Sequence, residues 1–500
     1  MLTNANTNPE HYGRSARWTV SWIFFASALI CLWFADIGIS SLDPWAELGR
    51  MLSGLVTPSL AGQYEVIDAV LQTVAFALLG VAFGSVVGFG LALVFHWTIV
   101  RVVCALLRSI HEIFWALIFL QVFGLHPLTG LLALGIPYAA TFAKIYAEIL
   151  EEGDQQALKA INRKTNSVSV FFYARLPDLW HQFKTYTSYR LECGLRSSAV
   201  LGFIGLPTLG YSLSTVFLEG QYSQVFAILI IFYLLIASMR FWLRPALLPV
   251  YLIAAPFIVS NDSTISLDNV RRFFTTDIVP APLVKGESIG AFFDWFWTLI
   301  VNQAWPGIIN TLLLSQIALV GTGIIALLIF PLISKQFLGP VGRAIGHGIL
   351  VVLRSTPEYM LAFILLLLWG PSMLPAIVAL ALHNGAVIAH LIGRYSNHLN
   401  HRQDAPTGIN AYGYEVLPRV YGQFLVLLFY RWEVIFRETA ILGVLGIATL
   451  GFYIDSAIQD IRFDRALLLI VITGLINLLI DAASRRIRSG LRLRTNLKVT

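Results

Sequence analysis

The 500-residue chain is 57% hydrophobic and only 12% charged, about half the ~25% charge of an average soluble domain, so a water-soluble globular fold is excluded. Its net charge of +6 sits in loops between apolar runs, which describes membrane topology and not a nucleic-acid-binding surface. The apolar runs lack the period-2 alternation of barrel strands and approach the ~20 residues a helix needs to cross ~30 Å of hydrocarbon, so an all-α polytopic membrane protein is expected.

From the N-terminus, a polar segment with Arg14 and Arg17 leads into a first span near 18–39, too long for a signal-peptide core and without a clear cleavage site after it. Further spans are expected near 69–97, 109–123, 128–149, 197–218 and 223–241, then near 245–260, 307–333, 355–370, 374–393, 438–457 and 465–483, about twelve in all. Two of these, 245–260 and 355–370, are short enough to be tilted or partly re-entrant. Basic residues cluster before the first span (Arg14, Arg17), after the second (Arg101, Arg108), after the fourth (Lys159, Arg163, Lys164, Arg175, Lys184, Arg190) and at the end of the chain (Arg485 to Lys498). Alternating spans put all of them on one side, the cytoplasm, and with them both termini. Cys31, Cys104 and Cys193 are far apart and read as apolar fillers, not as a disulfide or metal framework.

The chain is internally duplicated. Residues 173–210 align without a gap on 414–451, with 16 identities in 38 positions at an offset of 241. Residues 107–134 match 353–380 at an offset of 246, pairing Arg108, Ser109 and Glu112 with Arg354, Ser355 and Glu358. Two homologous six-helix halves follow, 1–243 and 244–500, and in a membrane protein such a repeat implies a pseudo-symmetric pathway. The opposite side carries a segment at 261–306 with Asp262, Asp268, Arg271, Arg272, Asp277 and Lys285, either a partner contact or a solvated linker. Each half has a polar cytoplasmic loop after its fourth span, 150–196 and 394–437. The first holds Lys159-Ala160, a polar turn at 165–167 and Leu176-Pro177; the second holds Gly408 and Leu417-Pro418. A short helix, a turn and a second short helix stopped by proline are expected in each.

These loops resemble the coupling loops of type I ABC importer permeases, whose EAA motif ends in a Leu-Pro pair. The match narrows to the phosphonate-type permease family through Arg108-Ser109-Ile110-His111-Glu112, Gly124-Leu125-His126-Pro127, Tyr189-Arg190-Leu191-Glu192 and 195–202 (LRSSAVLG), with Arg354-Ser355-Thr356-Pro357-Glu358, Leu382-His383-Asn384-Gly385 and Tyr430-Arg431-Trp432-Glu433 in the second half. The resemblance covers most of both halves. It implies a permease of the bacterial inner membrane, two copies of a separate ATPase that binds ATP and Mg, and a periplasmic or lipid-anchored binding protein. The solute would be a small anion such as phosphonate, phosphite or phosphate. No cofactor would reside on this chain. Departures are plain: His111 replaces the family proline, the EAA element is degenerate, and Pro207-Thr208 and Ala448-Thr449 replace a Gly-Gly pair.

Several polar residues are candidates for the working parts. Lys159, Ala160, Leu176, Pro177, Gly408, Leu417 and Pro418 would face the ATPase. Glu192 with Arg196, and Glu433 with Arg437, are four apart on one helix face, as anchoring ion pairs or as gate residues. Arg108 and Glu112, like Arg354 and Glu358, suit helix-start ion pairs. Lys144 and His390 occupy equivalent places near helix ends, where snorkelling competes with a role in the pathway, and His383 and Asn384 lie deeper. Gly202, Gly205 and Gly210, with Gly443, Gly446 and Gly451, read as close helix packing. No phosphate loop, HExxH or nucleophile elbow occurs, so the chain is not expected to be an enzyme. The alternative is an ion-gradient-driven transporter of six plus six helices. The position of the loops and the lack of a conspicuous deep carboxylate weigh against it.

Overall fold

The computed structural model describes residues 9–40, 43–62, 65–152, 165–259, 264–399, 406 and 408–491, and among these there are helices and no strand. Helix α1 (Pro9–Phe34) is followed by α2 (Pro44–Val56), α3 (Val66–Leu93), α4 (Thr98–Ser109), α5 (Glu112–Phe123), α6 (Pro127–Glu152), α7 (Leu176–Val200), α8 (Leu209–Leu218), α9 (Tyr222–Ala237) and α10 (Leu248–Val259). The repeat continues with α11 (Ile289–Leu299), α12 (Trp305–Ile329), α13 (Pro340–Ser355), α14 (Glu358–Trp369), α15 (Met373–Ser396), α16 (Leu417–Val444), α17 (Leu450–Gln459) and α18 (Phe463–Gly490).

Among the described residues seven helices are long and apolar enough to cross a membrane, or up to ten if each sharply bent pair counts as one span, against about twelve expected. The difference has a local cause. The expected spans 109–123 and 355–370 are α5 and α14, each of 12 residues and so about 18 Å long, joined to α4 and α13 through bends of 91°. The segment 261–306, expected to be periplasmic, is largely helical from residue 267 on; its end runs without a break into α12, giving an apolar helix from 289 to 333. Asp262 lies outside the described residues.

Packing does not follow chain order. One compact unit comprises Met1–Leu48 with Pro280–Thr500, and the other Gly49–Val279. Each unit thus draws on both expected halves, 1–243 and 244–500: α1 stands with helices of the second and α10 with helices of the first.

Within the unit built on the second repeat, α1 docks on α12 and α16. Trp18 stacks on Tyr421 with ring centroids 4.8 Å apart, and Phe24 meets Phe429 and Trp432 edge-on. Tyr421 donates to Ser21 Oγ at 2.6 Å and Gln316 Nε2 to Ser27 Oγ at 2.8 Å. The other face of α1 exposes Trp22, Ile30 and Trp33, an apolar strip suited to lipid.

In the other unit, α10 closes on α3, and α3 lies along α6. Gly80, Gly84 and Gly88 recur every fourth residue on α3, so one bare strip of backbone meets α6. A methyl at Gly84 would stand 2.8 Å from Tyr138 Cβ, and one at Gly88 2.5 Å from Phe142 Cβ and 2.7 Å from the Ala139 carbonyl oxygen. Small residues allow this approach, and dispersion with interhelical bonding holds helices together where lipid removes the hydrophobic drive. Gly88→Ala should cost about 1–3 kcal/mol through overpacking. Thermal unfolding in detergent would show it as a lowered midpoint, while Gly90→Ala, with nothing within 4 Å of its added methyl, should leave the midpoint in place.

Candidate translocation and coupling elements

The expected fifth spans, 197–218 and 438–457, are each broken. After α7 a 3₁₀ turn (Leu201–Ile204) leads to Gly205 at φ +90° and then into α8; after α16 the chain turns through Gly446 at φ +92° into α17. Both glycines hold the left-handed conformation that a side chain resists. The flanking glycines serve the approach itself. A methyl on Gly202 would overlap the backbone of Gly210 and Tyr211, and one on Gly210 the Ala199 carbonyl; Gly443 and Gly451 are confined in the same way by Phe452 and Ala440. They act in close packing, as their spacing suggests.

Restarting a helix leaves N–H groups that hydrocarbon cannot satisfy. Thr73 on α3 and Thr311 on α12 supply the acceptors. The Leu209 N–H donates to Thr73 Oγ1 and the Leu450 N–H to Thr311 Oγ1, both at 2.9 Å, while each hydroxyl donates one turn back to its own helix, to the carbonyls of Ala69 and Gly307. Both threonines are buried. Neither stands out in the sequence, where each is one hydroxyl in an apolar run.

Arg108 lies in the last turn of α4 and Glu112 opens α5; Arg354 and Glu358 bracket the second bend in the same way. Each charge thus complements the dipole of its own helix end. His111, in the place of the family proline, uses Nδ1 to accept the Ile113 N–H at 3.2 Å, which accounts for that departure as a cap. The carboxylates then enter polar clusters that are partly buried in the first half and more deeply buried in the second. In the first half Glu112 accepts from Ser197 Oγ at 2.7 Å, and Ser197 accepts from the Tyr138 hydroxyl at 3.1 Å. At the equivalent positions of the second half stand Glu358, Glu438 and Asn384. Asn384 Nδ2 donates to Glu438 Oε2 at 2.9 Å, Arg431 Nη1 donates to Asn384 Oδ1 at 3.1 Å, and His383 lies with Nδ1 2.8 Å from the Thr356 carbonyl oxygen and Nε2 3.8 Å from Glu358. His383, Asn384 and Glu438 are 3%, 0% and 6% exposed, so this is a buried network with two carboxylates where the first half has one.

Glu438 is a buried carboxylate that is not conspicuous in the sequence. It sits at the margin of the expected fifth span, beside Arg437, and so reads as a loop charge; only the helix that runs unbroken from Leu417 to Val444 carries it inside. Arg190, equivalent to Arg431, instead donates from Nε to the Tyr186 hydroxyl at 2.7 Å. Glu192 and Arg196, and Glu433 and Arg437, are half-buried on α7 and α16, ahead of the breaks. Arg196 Nη2 points to Cys193 Sγ at 3.6 Å. Lys144 faces Glu148 at 3.8 Å with a third of its side chain exposed, the geometry of a snorkelling pair, whereas its counterpart His390 is buried.

The loops differ from expectation in one respect. Neither Leu-Pro stops a helix. Pro177 and Pro418 occupy the first turn of long helices, and a π turn precedes each, Phe171–Arg175 and Ala411–Val416. A proline within a helix lacks an N–H and crowds the carbonyl four residues back. Widening the turn relieves this: the Leu176 N–H reaches the Phe171 carbonyl and the Leu417 N–H the Tyr412 carbonyl, five residues back instead of four. The turns present Tyr173 and Tyr414, equivalent in the repeat and 86% and 80% exposed. Gly408, at φ +63°, begins the short helix Gly408–Asn410, with Ile409 exposed beside it. Lys159 and Ala160 lie outside the described residues.

The chain is 28% identical over 223 residues to the phosphite transport system permease protein PtxC of Stutzerimonas stutzeri, covering 42% of this chain and 80% of that one. It is 20% identical to the phosphate-import permease protein PhnE of Mycolicibacterium smegmatis over 93% of both chains. The chain is a homologue of phosphite and phosphate transport permeases. A putative phosphite permease of S. stutzeri, HtxE, adds 36% identity over 139 residues, about half (52%) of its length. The match along nearly the whole of a second chain supports the reading of this permease homologue as two fused permease repeats, and the sequence resemblance to the phosphonate-type family is borne out. No family model and no solved structure matches.

The permease homologue's buried network yields a direct test. Asn384→Leu removes the amide that Glu438 and Arg431 share and should cost about 1–3 kcal/mol, the penalty of buried polar groups left without a hydrogen-bond partner. Asn384→Tyr with Glu438→Ser, which installs the first half's residues, should unfold at a higher temperature than Asn384→Tyr alone. Equal midpoints for these two would remove the network.

Proposed function

We propose that this chain forms the translocation pathway of an ATP-driven importer for a small phosphorus oxyanion of the phosphite, phosphate or phosphonate class. It would lie in the bacterial inner membrane with both termini cytoplasmic. A binding protein delivers the solute from outside, and two copies of a separate ATPase, carrying ATP and Mg, dock beneath the loops 150–196 and 394–437. The observation that carries this reading is the doubled loop element, a π turn, a Leu-Pro pair and an exposed tyrosine at the same place in both repeats. One such element is a local accident of a proline; two equivalent ones suit a partner with two-fold symmetry. The clusters at Glu112 and Glu358, each next to a 91° bend and to the helix that enters the glycine hairpin, are where movement of a loop reaches buried polar groups. Glu438 favours a second reading, transport driven by an ion gradient, since a buried carboxyl group is what proton coupling requires.

Copurification with an ATPase and a binding protein separates the two. Hydrolysis in the assembled complex should rise with loaded binding protein. Pro177→Ala and Pro418→Ala, made separately, restore an N–H and let the π turn tighten, turning the preceding segment by roughly 100° about the helix axis. Either change should cut the stimulated rate about fivefold or more, within the usual span of coupling energies. Failure to recruit an ATPase, with vesicle uptake that follows an imposed ion gradient, overturns the importer reading.

A further inference from the structure

A cavity of about 570 Å³ opens beside the C-terminal end of α15 and the N-terminal half of α13, and its lining includes Arg343, His347, Arg354, His390, Arg394 and Asn397. Three guanidinium groups and two imidazoles face it, and among the described residues no acidic residue lines it. The repeat shows how this came about. At the offset of 246, Arg354 and His390 correspond to Arg108 and Lys144, but Arg394 and Asn397 stand where the first half has Glu148 and Glu151. In the first half Glu148 faces Lys144. In the second the acid has become a further cation.

The walls are held in place. Asn397 Oδ1 accepts the Lys335 N–H at 2.7 Å and its Nδ2 donates to the Ile333 carbonyl at 3.1 Å. His390 is only 6% exposed, its ring stands 5.4 Å from that of His347, and its Nδ1 has no partner among the described residues; Arg343 Nε is likewise buried without one. A buried polar atom left without a partner costs free energy that a ligand can return. Pro340, in the first turn of α13, also lines the cavity, so the positive end of that helix adds to the same field.

We propose that this cavity binds a phosphate-group anion, either a soluble phosphate compound or the headgroup of an anionic lipid. Guanidinium pairs match phosphoryl oxygens in a bidentate manner, and the volume suits a phosphate with a small organic body attached. His390, a candidate for the pathway or for snorkelling, lines this site. In sequence Arg394 opens the second cytoplasmic loop, 394–437, so occupancy of the site bears on that loop; that consequence alone rests on the importer reading.

The test uses the full chain in nanodiscs of phosphatidylcholine, titrated with inorganic phosphate, and in nanodiscs that also contain phosphatidylglycerol, with thermal unfolding as the readout. Stabilisation by phosphate in the first identifies a soluble ligand, and stabilisation only in the second identifies a lipid headgroup; either supports the site if Arg394→Glu weakens it about tenfold. Arg343→Gln should weaken it to a similar degree and serves if Arg394→Glu does not fold, and Arg271→Gln, outside the cavity, should leave it unchanged. No stabilisation by either probe, or stabilisation that survives both cavity variants, overturns the proposal. Neither result depends on an ATPase, so loss of this site and loss of the importer reading are separable.

Discussion

A helix that breaks inside hydrocarbon must find partners for the backbone groups it releases, because the bilayer offers none. Most of the distinctive features of this chain answer that demand. Where α7 gives way to α8 and α16 to α17, glycines bring the backbone back on itself, and a threonine from a neighbouring helix accepts the first orphan N–H. Where α4 turns into α5, a histidine caps the new helix. Where Leu-Pro enters a helix, a π turn lets the N–H before the proline reach one carbonyl further back and so makes room for the ring. Each device needs a small or hydroxyl-bearing residue at one place, so a few positions in a largely interchangeable apolar background carry the architecture.

The two repeats solve these problems alike and then diverge in charge. Glu112, Ser197 and Tyr138 make a cluster with one carboxylate; Glu358, Glu438 and Asn384, at the same positions, make one with two, with a histidine and an arginine beside them. At the other end of α6 and α15, Glu148 and Glu151 become Arg394 and Asn397. Fusion makes such divergence possible, since two halves encoded in one chain need not stay identical. A symmetric partner would therefore meet an asymmetric channel, with the buried acid and the cationic cavity both on the second repeat.

Much of this was legible in the sequence, and the misses share a cause. Membrane class, the internal repeat, the glycine trios and the Leu-Pro loops all declare themselves through composition, offset or local stereochemistry. Glu438 was missed because a charge next to Arg437 at the margin of an apolar run looks like a surface residue until the length of its helix is known. Tyr138 and Ser197 were hidden because their types are ordinary. Setting the two offsets side by side pairs 112 with 358, 138 with 384 and 197 with 438, the positions that converge, but nothing in the sequence says that they converge. Prolines 177 and 418 misled in the opposite way: they are helix breakers by type, and here they sit in first turns.

What the sequence determined by itself is what depends on transfer free energy and local chain geometry: an all-helical membrane protein, built twice, with equivalent loops in each repeat. The tertiary structure alone decided what depends on distant segments meeting. It placed α1 with the helices of the second repeat and α10 with those of the first, brought Asn384 between Glu438 and Arg431, and gathered three guanidinium groups and two imidazoles around one cavity. The physical reason is that lipid solvates every apolar helix face equally well. Hydrophobicity says which segments are buried in the bilayer, and only close packing and hydrogen bonds between helices say which neighbours they take.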